Sequence, residues 1–342
     1  MRSLAAIALA IGAVVAVAFG WFAPRVVLLG WLTIATSLAA TALGAVLLVC
    51  MLKLGRSRLL DVWRTPLSSA VPWLYAMPVL CLPVVVGVNT LYGWNADAAF
   101  AAQRWYLNVP FFVVRMLLYF AAFIGIAVAL PRAVRASRLA ALLIVAFVSA
   151  NMIGIDGIMA LTPTWHSSDF GLRWTVNGLL IAASLAVAWQ AIHRRGTNGD
   201  NIRSRIDGAT LLFALDLGWL YLIFVDYITA WSGNLPDETI WYGPRIHGAW
   251  GGVAVAFVAA HVMVGPLLLS RLTKRSASTL LYLSGLMIVA QWLEAIWTVI
   301  PGTGVDAFLA SGISLASVAV IVGGSFAWRN QSRRPSARIA HG

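Results

Sequence analysis

Apolar residues recur along this chain in blocks of about 20, separated by short stretches where Arg, Lys, Pro, Gly and Asp gather. A block of that length crosses the ~30 Å hydrocarbon core of a bilayer as an α-helix, because every backbone group then finds its partner inside the segment. The pattern predicts helices at roughly 4–23, 27–52, 69–91, 109–130, 139–161, 171–192, 208–232, 247–270, 279–300 and 304–328. The fold class that follows is an all-α membrane protein of about ten transmembrane helices. Residues 1–328 form a single polytopic domain, and 329–342 form a basic cytoplasmic tail that is expected to be disordered. The first block follows Arg2 and has the outline of a signal peptide. Its length and the poor cleavage sequence Ala-Phe-Gly-Trp favour a retained helix instead.

Composition agrees with the blocks. Hydrophobic residues make up 61% of the 342 and charged residues only 11%, too little polar surface to clothe a soluble core of this size. The net charge of +12 would suit a nucleic-acid partner, but the basic residues sit at helix ends, in short loops and in the tail. Counted on alternate sides of the predicted helices, Lys and Arg divide 19 against 4, with Arg115 inside a helix. That asymmetry places the 19, and with them both termini, on the cytoplasmic side of the membrane. Cys50 and Cys81 lie in separate apolar runs and form no CxxC or CxxCH pattern, so any redox metal must come from a partner.

Six ionisable residues fall inside predicted helices: Arg115, Asp156, Asp216, Asp226, His261 and Glu294. Each costs at least ~2.5–3.5 kcal/mol in hydrocarbon, so each needs a reason to be there. Helix direction puts Arg115, Asp156, Asp226 and Glu294 in the outer third, and Asp216 and His261 near the middle or inner half. Asp216 and Asp226 lie ~15 Å apart along one helix, turned by some 80°. One reading is a proton path: an outer cluster of Asp156, Asp226 and Glu294 tuned by Arg115, continuing inward through Asp216 and His261. Carboxylates and imidazole suit that task, because burial moves their pKa values toward neutrality. The other reading is structural: Arg115 pairs with one of the outer acids, and His261 hydrogen-bonds a neighbouring helix. One arginine does not neutralise three acids, which favours the first reading for the carboxylates.

Two outer loops are unusually rich. Residues 161–171 hold Trp165, His166 and Asp169; residues 231–245 hold Trp231, Asp237, Glu238, Trp241, Tyr242 and Arg245. Trp165, His166, Asp169, Trp231, Trp241, Tyr242 and Arg245 are the candidate outer-face residues, with His166 and Asp169 at the mouth of the path. Asp237 and Glu238 also precede the eighth predicted helix, where acids favour the N-terminus. His166 and Asp169 do not have a metal-site spacing, and HExxH is absent, so no metal site is predicted. Trp63, Trp94, Trp105, Trp165, Trp174, Trp241 and Trp297 lie near predicted helix ends and are expected as interfacial anchors.

Several of these stretches, taken in order, form a family resemblance: Tyr106-Leu-Asn-Val-Pro-Phe-Phe-Val-Val-Arg115 with Tyr119; Asp156-Gly-Ile-Met-Ala-Leu-Thr-Pro-Thr-Trp165; Trp219 through Asp226-Tyr227 and on to Tyr242; His261, Pro266 and Arg271; and Gln291-Trp-Leu-Glu-Ala-Ile-Trp297. Over about residues 105–301 the chain resembles the NrfD/polysulfide-reductase-type membrane subunits, and among them the ActF-type subunit of alternative complex III, a quinol:cytochrome c oxidoreductase. The resemblance implies two four-helix bundles, helices 2–5 and 6–9, flanked by helices 1 and 10. It implies a second NrfD-type membrane subunit, an iron–sulfur subunit and c-type cytochromes as partners. It also implies iron–sulfur clusters and haem c on those partners, no redox cofactor on this chain, and quinone as the small-molecule ligand. The chain departs from the family at Asp226, where a polar amide is usual, and at Gln291 and Glu294, where His and Asp are common. It looks more like the family's second membrane subunit than the quinol-binding one.

Three functions remain open on these grounds. The chain is a subunit of a respiratory quinol-oxidising complex, a self-contained proton-coupled secondary transporter, or a scaffold whose buried charges only hold helices together. Transporters often show inverted repeats with broken helices. Pro72, Pro78, Pro83 and Pro266 are candidate breaks, but no matching pair is evident in the two halves.

Overall fold

In the computed structural model, residues 23–95, 103–194, 196, 199–233, 236–304, 310 and 312 are described. Most of the first and tenth predicted helices and the basic tail lie outside them.

The first described helix, α1, runs Pro24–Leu54; proline suits its first turn, where no N–H partner is needed. It ends at Gly55, followed by Arg56 in the left-handed region at φ 48°. The third predicted helix begins ten residues earlier than expected. It consists of α2 (Leu59–Ala70), a break at Val71–Pro72 and α3 (Trp73–Val86), with the short α4 (Val88–Leu91) beyond. Leu59, Leu60, Trp63 and Leu67 bury one side of α2 while Asp61 and Arg64 stay exposed, so these charges do not interrupt the helix. Next comes α5 (Val109–Ala129), whose N-cap Asn108 accepts the Phe111 N–H at 2.8 Å. Helix α6 (Ala136–Ile153) leads into a π-turn over Gly154–Ile158 and a tighter turn over Met159–Leu161.

The second half comprises α7 (Phe170–His193), α8 (Gly199–Gly233), α9 (Pro236–Ile246), α10 (Gly248–Leu269), α11 (Arg271–Arg275) and α12 (Ala277–Val299). The stretch read as an outer loop from 231 to 245 is therefore largely a helix, α9, which turns sharply into α10 at Gly248 with φ 59°.

Eight helical stretches among the described residues are long and apolar enough to cross a membrane, and they match predicted helices two to nine. The chain is thus all-helical and of multi-pass membrane type by length and composition. Helices α1 and α7 are buried around most of their circumference and pack on each other. They approach closely through glycine: a methyl group added at Gly44 would strike the Gly178 backbone, and one added at Gly178 would strike Ala40. Helix α1 also packs on α2, α3 and α6, with α5 joining α3 to α6; α7 also packs on α6, α8 and α12, with α10 joining α8 to α12. Outward faces carry large apolar side chains such as Leu117, Leu118, Phe224, Val262 and Tyr282, which suit lipid.

The tryptophan expectation needs correction. Of the seven expected anchors only Trp105 is exposed; Trp63, Trp94, Trp165, Trp174, Trp241 and Trp297 are buried. Internal partners draw several of them in. Trp63 donates to Gln190 at 2.9 Å, Trp297 donates to the Arg245 carbonyl at 2.9 Å, and Trp165 stacks on Trp241 at 4.3 Å.

Candidate functional site

The buried charges gather into two networks. The first lies between α5 and the π-turn after α6. That turn carries Asp156 inward, and the carboxylate is almost fully buried. It accepts from Arg115 Nε at 2.8 Å, Tyr119 Oη at 2.6 Å and Tyr106 Oη at 2.9 Å. Arg115 also donates through Nη1 to the Tyr106 carbonyl at 2.9 Å and lies over the Tyr106 ring at 3.9 Å. Burial, reinforced by the Asp156 charge, pushes the Tyr106 phenol up to about 12, so it stays a donor. A carboxylate with one cation and two phenols is well satisfied, as a buried ion pair must be to persist.

The second network runs through α7, α8, α9, α10 and α12. Its centre is Arg173, in the first turn of α7 and 1% exposed. Arg173 faces two carboxylates: Nη1 lies 3.5 Å from Asp226 Oδ2, and Nε lies 3.9 Å from Glu294 Oε1. Glu294 is held at its other oxygen by Asn177 Nδ2 at 2.7 Å and Trp219 Nε1 at 2.9 Å. Asp226 accepts from Tyr242 Oη at 2.7 Å, and Ser167 Oγ lies 2.7 Å from Asp226 and 2.6 Å from Asp169. A hydroxyl has one hydrogen and cannot donate to both carboxylates at once. Burial raises the Asp169 carboxyl above its ordinary range; the Ser167 hydrogen bond opposes this and the Asp226 charge adds to it.

One turn along α12 from Glu294, Gln291 Nε2 lies 2.8 Å from His261 Nε2. His261 Nδ1 meets Asp216 Oδ1 at 2.6 Å, and the imidazole stacks on Trp219 at 3.8 Å. His261 and Asp216 are essentially inaccessible. A donating amide on Nε2 leaves the imidazole hydrogen on Nδ1, pointing at Asp216. Beside Trp241, Arg245 is buried and pairs with no carboxylate among the described residues. It donates to the Trp241 carbonyl at 2.6 Å and the Thr298 carbonyl at 2.9 Å, and covers the Trp241 ring at 3.9 Å. Burial, with the Arg173 charge adding, lowers its guanidinium to about 9.

The structure therefore brings Asp216, Asp226, His261, Glu294 and Asp169 into one run, with Tyr242, Trp241 and Trp165 around its Asp226 end. It places Asp156 with Arg115, and among the described residues no hydrogen bond or ion pair joins them to Asp226 or Glu294. The single outer cluster around Arg115 is not what the contacts show. His166 and Trp231 are exposed and make none of these contacts. Arg173, Asn177, Trp219 and Ser167 were missed as site residues. Arg173 sits at the edge of an apolar block, where an arginine reads as one of the four outer-side charges, whereas Arg245 is already a candidate from its loop. A cation just inside a helix boundary, in a segment facing unpaired acids, was the available signal.

Several buried polar atoms in and beside the run have no hydrogen-bond partner among the described residues: Arg173 Nη1, which reaches the Asp226 carboxylate only as an ion pair, and Arg173 Nη2, Asn177 Oδ1, Gln291 Oε1, Arg245 Nε and Thr298 Oγ1. Buried polar atoms of this kind are usually satisfied by ordered water. No group of three or more His, Cys, Asp or Glu side chains converges among the described residues. A cavity beside Tyr119 and Gly157 encloses only about 30 Å³, an order of magnitude below the ~300–1,000 Å³ of ligand pockets. It is too small for a quinone ring. No protein-family model matches the chain, and no curated protein does either.

Proposed function

We propose that this chain is a membrane subunit of a bacterial respiratory quinol:cytochrome c oxidoreductase complex, in which α7, α8, α10 and α12 carry protons through the membrane. One observation carries the reading: the buried run from Asp169 through Ser167, Asp226, Arg173 and Glu294 to Gln291, His261 and Asp216. Titratable groups this deep in apolar surroundings are costly even when paired, and where they persist they mark ion and proton pathways. The packing pairs described above support two four-helix bundles, α1/α2–α3/α5/α6 and α7/α8/α10/α12. The skew of Lys and Arg supports cytoplasmic termini in the inner membrane. The sequence resemblance supports a second NrfD-type subunit, an iron–sulfur subunit and haem c proteins as partners.

In this mechanism Arg173 and Trp219 cannot relay protons, because both only donate. They balance charge and hold Glu294 in place. Protons pass between carboxylates and imidazole, with water beside Asn177 Oδ1 and Gln291 Oε1 bridging the longer steps. For His261 to take a proton at Nε2, the Gln291 amide must turn and present Oε1. The Gln291 rotation therefore gates the step between Glu294 and the His261–Asp216 pair. The Arg115–Asp156 network anchors the other bundle.

The test is gentle purification of the tagged protein, with mass spectrometry of accompanying chains and a reduced-minus-oxidised visible spectrum. Iron–sulfur and haem c subunits in stoichiometric amounts are the expected result. A colourless, solitary protein would overturn the complex and leave a proton-coupled carrier as the reading.

A further inference from the structure

At the Lys- and Arg-rich end of the helices, a groove of about 450 Å³ opens between α1, the α2–α3 break and the end of α5. That volume falls within the ~300–1,000 Å³ range of ligand pockets. Its walls are apolar, formed by Val49, Leu60 and Ala127 among others, while Lys53 and Arg64 stand in its lining. Val71 and Pro72, where α2 gives way to α3, line it as well; proline there lacks an N–H to continue the run of α2. Tyr75 marks its inner part. From Arg64 to Tyr75 the helical rise is about 16 Å, roughly half of the ~30 Å hydrocarbon core. The lining thus spans about 16 Å along α2 and α3, long enough for much of an acyl chain.

Neither cation is neutralised. Among the described residues Arg64 is exposed and joins no ion pair, and Lys53 makes only a 3.5 Å contact with the Ala133 carbonyl. Arg56, Arg58, Arg132 and Arg135 are exposed on the two turns flanking the groove, so the local field is positive. An apolar slot open to lipid with two unpaired cations at its polar end matches one chemistry: an acyl chain under a phosphate. Basic pockets between transmembrane helices on the cytoplasmic side bind anionic headgroups for this reason.

We infer that this groove is a binding site for one anionic glycerophospholipid, with an acyl chain between α1 and α5 and its phosphate on Lys53 and Arg64. The lipid fills the groove and ties α2 to α5. This site is independent of the proton run and of the reading given to that run.

The experiment is native mass spectrometry and thermal melting of the delipidated protein, with whatever chains accompany it. Titrants are phosphatidylglycerol, phosphatidylcholine and inorganic phosphate. One phosphatidylglycerol should bind tightly and raise the melting temperature, and neither phosphatidylcholine nor phosphate should match it. Two surface cations at ~1 kcal/mol each correspond to a roughly 30-fold weaker affinity in Lys53→Gln/Arg64→Gln. Ser68→Trp, on an exposed groove position, should block the lipid while leaving both charges in place. Equal binding of phosphatidylcholine would overturn the proposal, because the cations would then select nothing. Equal stabilisation by phosphate would reduce the site to a surface anion contact. Unchanged affinity in both variants would place the lipid elsewhere.

Discussion

Replacing Arg173 with Gln removes the cation that faces both Asp226 and Glu294. At separations of 3.5 and 3.9 Å, an effective dielectric of ~20 gives attractions of ~5 and ~4 kcal/mol. Desolvation of a guanidinium at 1% exposure cancels most of that gross sum. What survives on removing one partner of a buried charge group is ~3–5 kcal/mol, because the remaining charges are left uncompensated. Gln at this position cannot restore the balance. The variant should therefore lose ~3–5 kcal/mol in SDS-driven unfolding from mixed micelles. Glu294→Gln alone keeps a side-chain oxygen for Asn177 and Trp219 and should cost less. The double variant Arg173→Gln/Glu294→Gln should be more stable than the sum of the two singles predicts. Coupling of ~1–3 kcal/mol is the range for residues sharing one network. If the four proteins give additive losses within ~0.5 kcal/mol, Arg173 is not the counter-ion of Glu294 and the centre of the run is misassigned.

Other consequences are open to direct measurement. Tyr119→Phe removes a 2.6 Å hydrogen bond to the Asp156 carboxylate and should cost ~1.5–3 kcal/mol in the same titration; a cost below ~0.5 kcal/mol would mean that Asp156 does not need that donor. Gly44→Val forces a side chain against the Gly178 backbone, so it should cost ~1–3 kcal/mol or more in thermal melting, whereas Gly285→Val, with open space around it, should melt like the parent. The Asp169 carboxyl is raised above 3.8 in the folded protein, so its contribution to stability is complete below pH 3.8 and is lost as pH climbs through the raised value. Melting temperature should accordingly fall less steeply with rising pH in Asp169→Asn than in the parent, and parallel curves would refute the assignment.

Much of this architecture could be read from the residues because lipid imposes strict rules. A block such as 247–270 has no acid, no Lys and no Arg, and it forms α10 within a residue or two of the expected limits. Asp216, Asp226, His261 and Glu294 stood out because each violates the same rule. Their partners were not legible, since α7, α8, α10 and α12 must pack before Arg173 reaches two carboxylates from different helices. Arg173 is hidden by position: a charge at the edge of an apolar block reads equally as a loop residue. The tryptophans misled for a related reason. An indole near a helix end satisfies the interfacial rule, yet Trp241 is covered by Trp165 and Arg245, contacts that only the folding of α9 creates. Helix α9 itself was obscured by Pro236, Gly243 and Pro244, which read as loop chemistry in isolation.

The measurement that bears most directly on the account is proton release during turnover of the purified assembly in proteoliposomes, comparing the parent with Glu294→Gln. The substitution preserves shape and hydrogen bonding to Asn177 and Trp219 but removes the titratable group at the middle of the run. If protons pass through Glu294, the variant should keep its accompanying subunits and slow proton release by about a hundredfold, the low end for a positioned proton-exchanging side chain. Unchanged rate and stoichiometry in an intact assembly would contradict the account and leave the buried run as helix-binding glue.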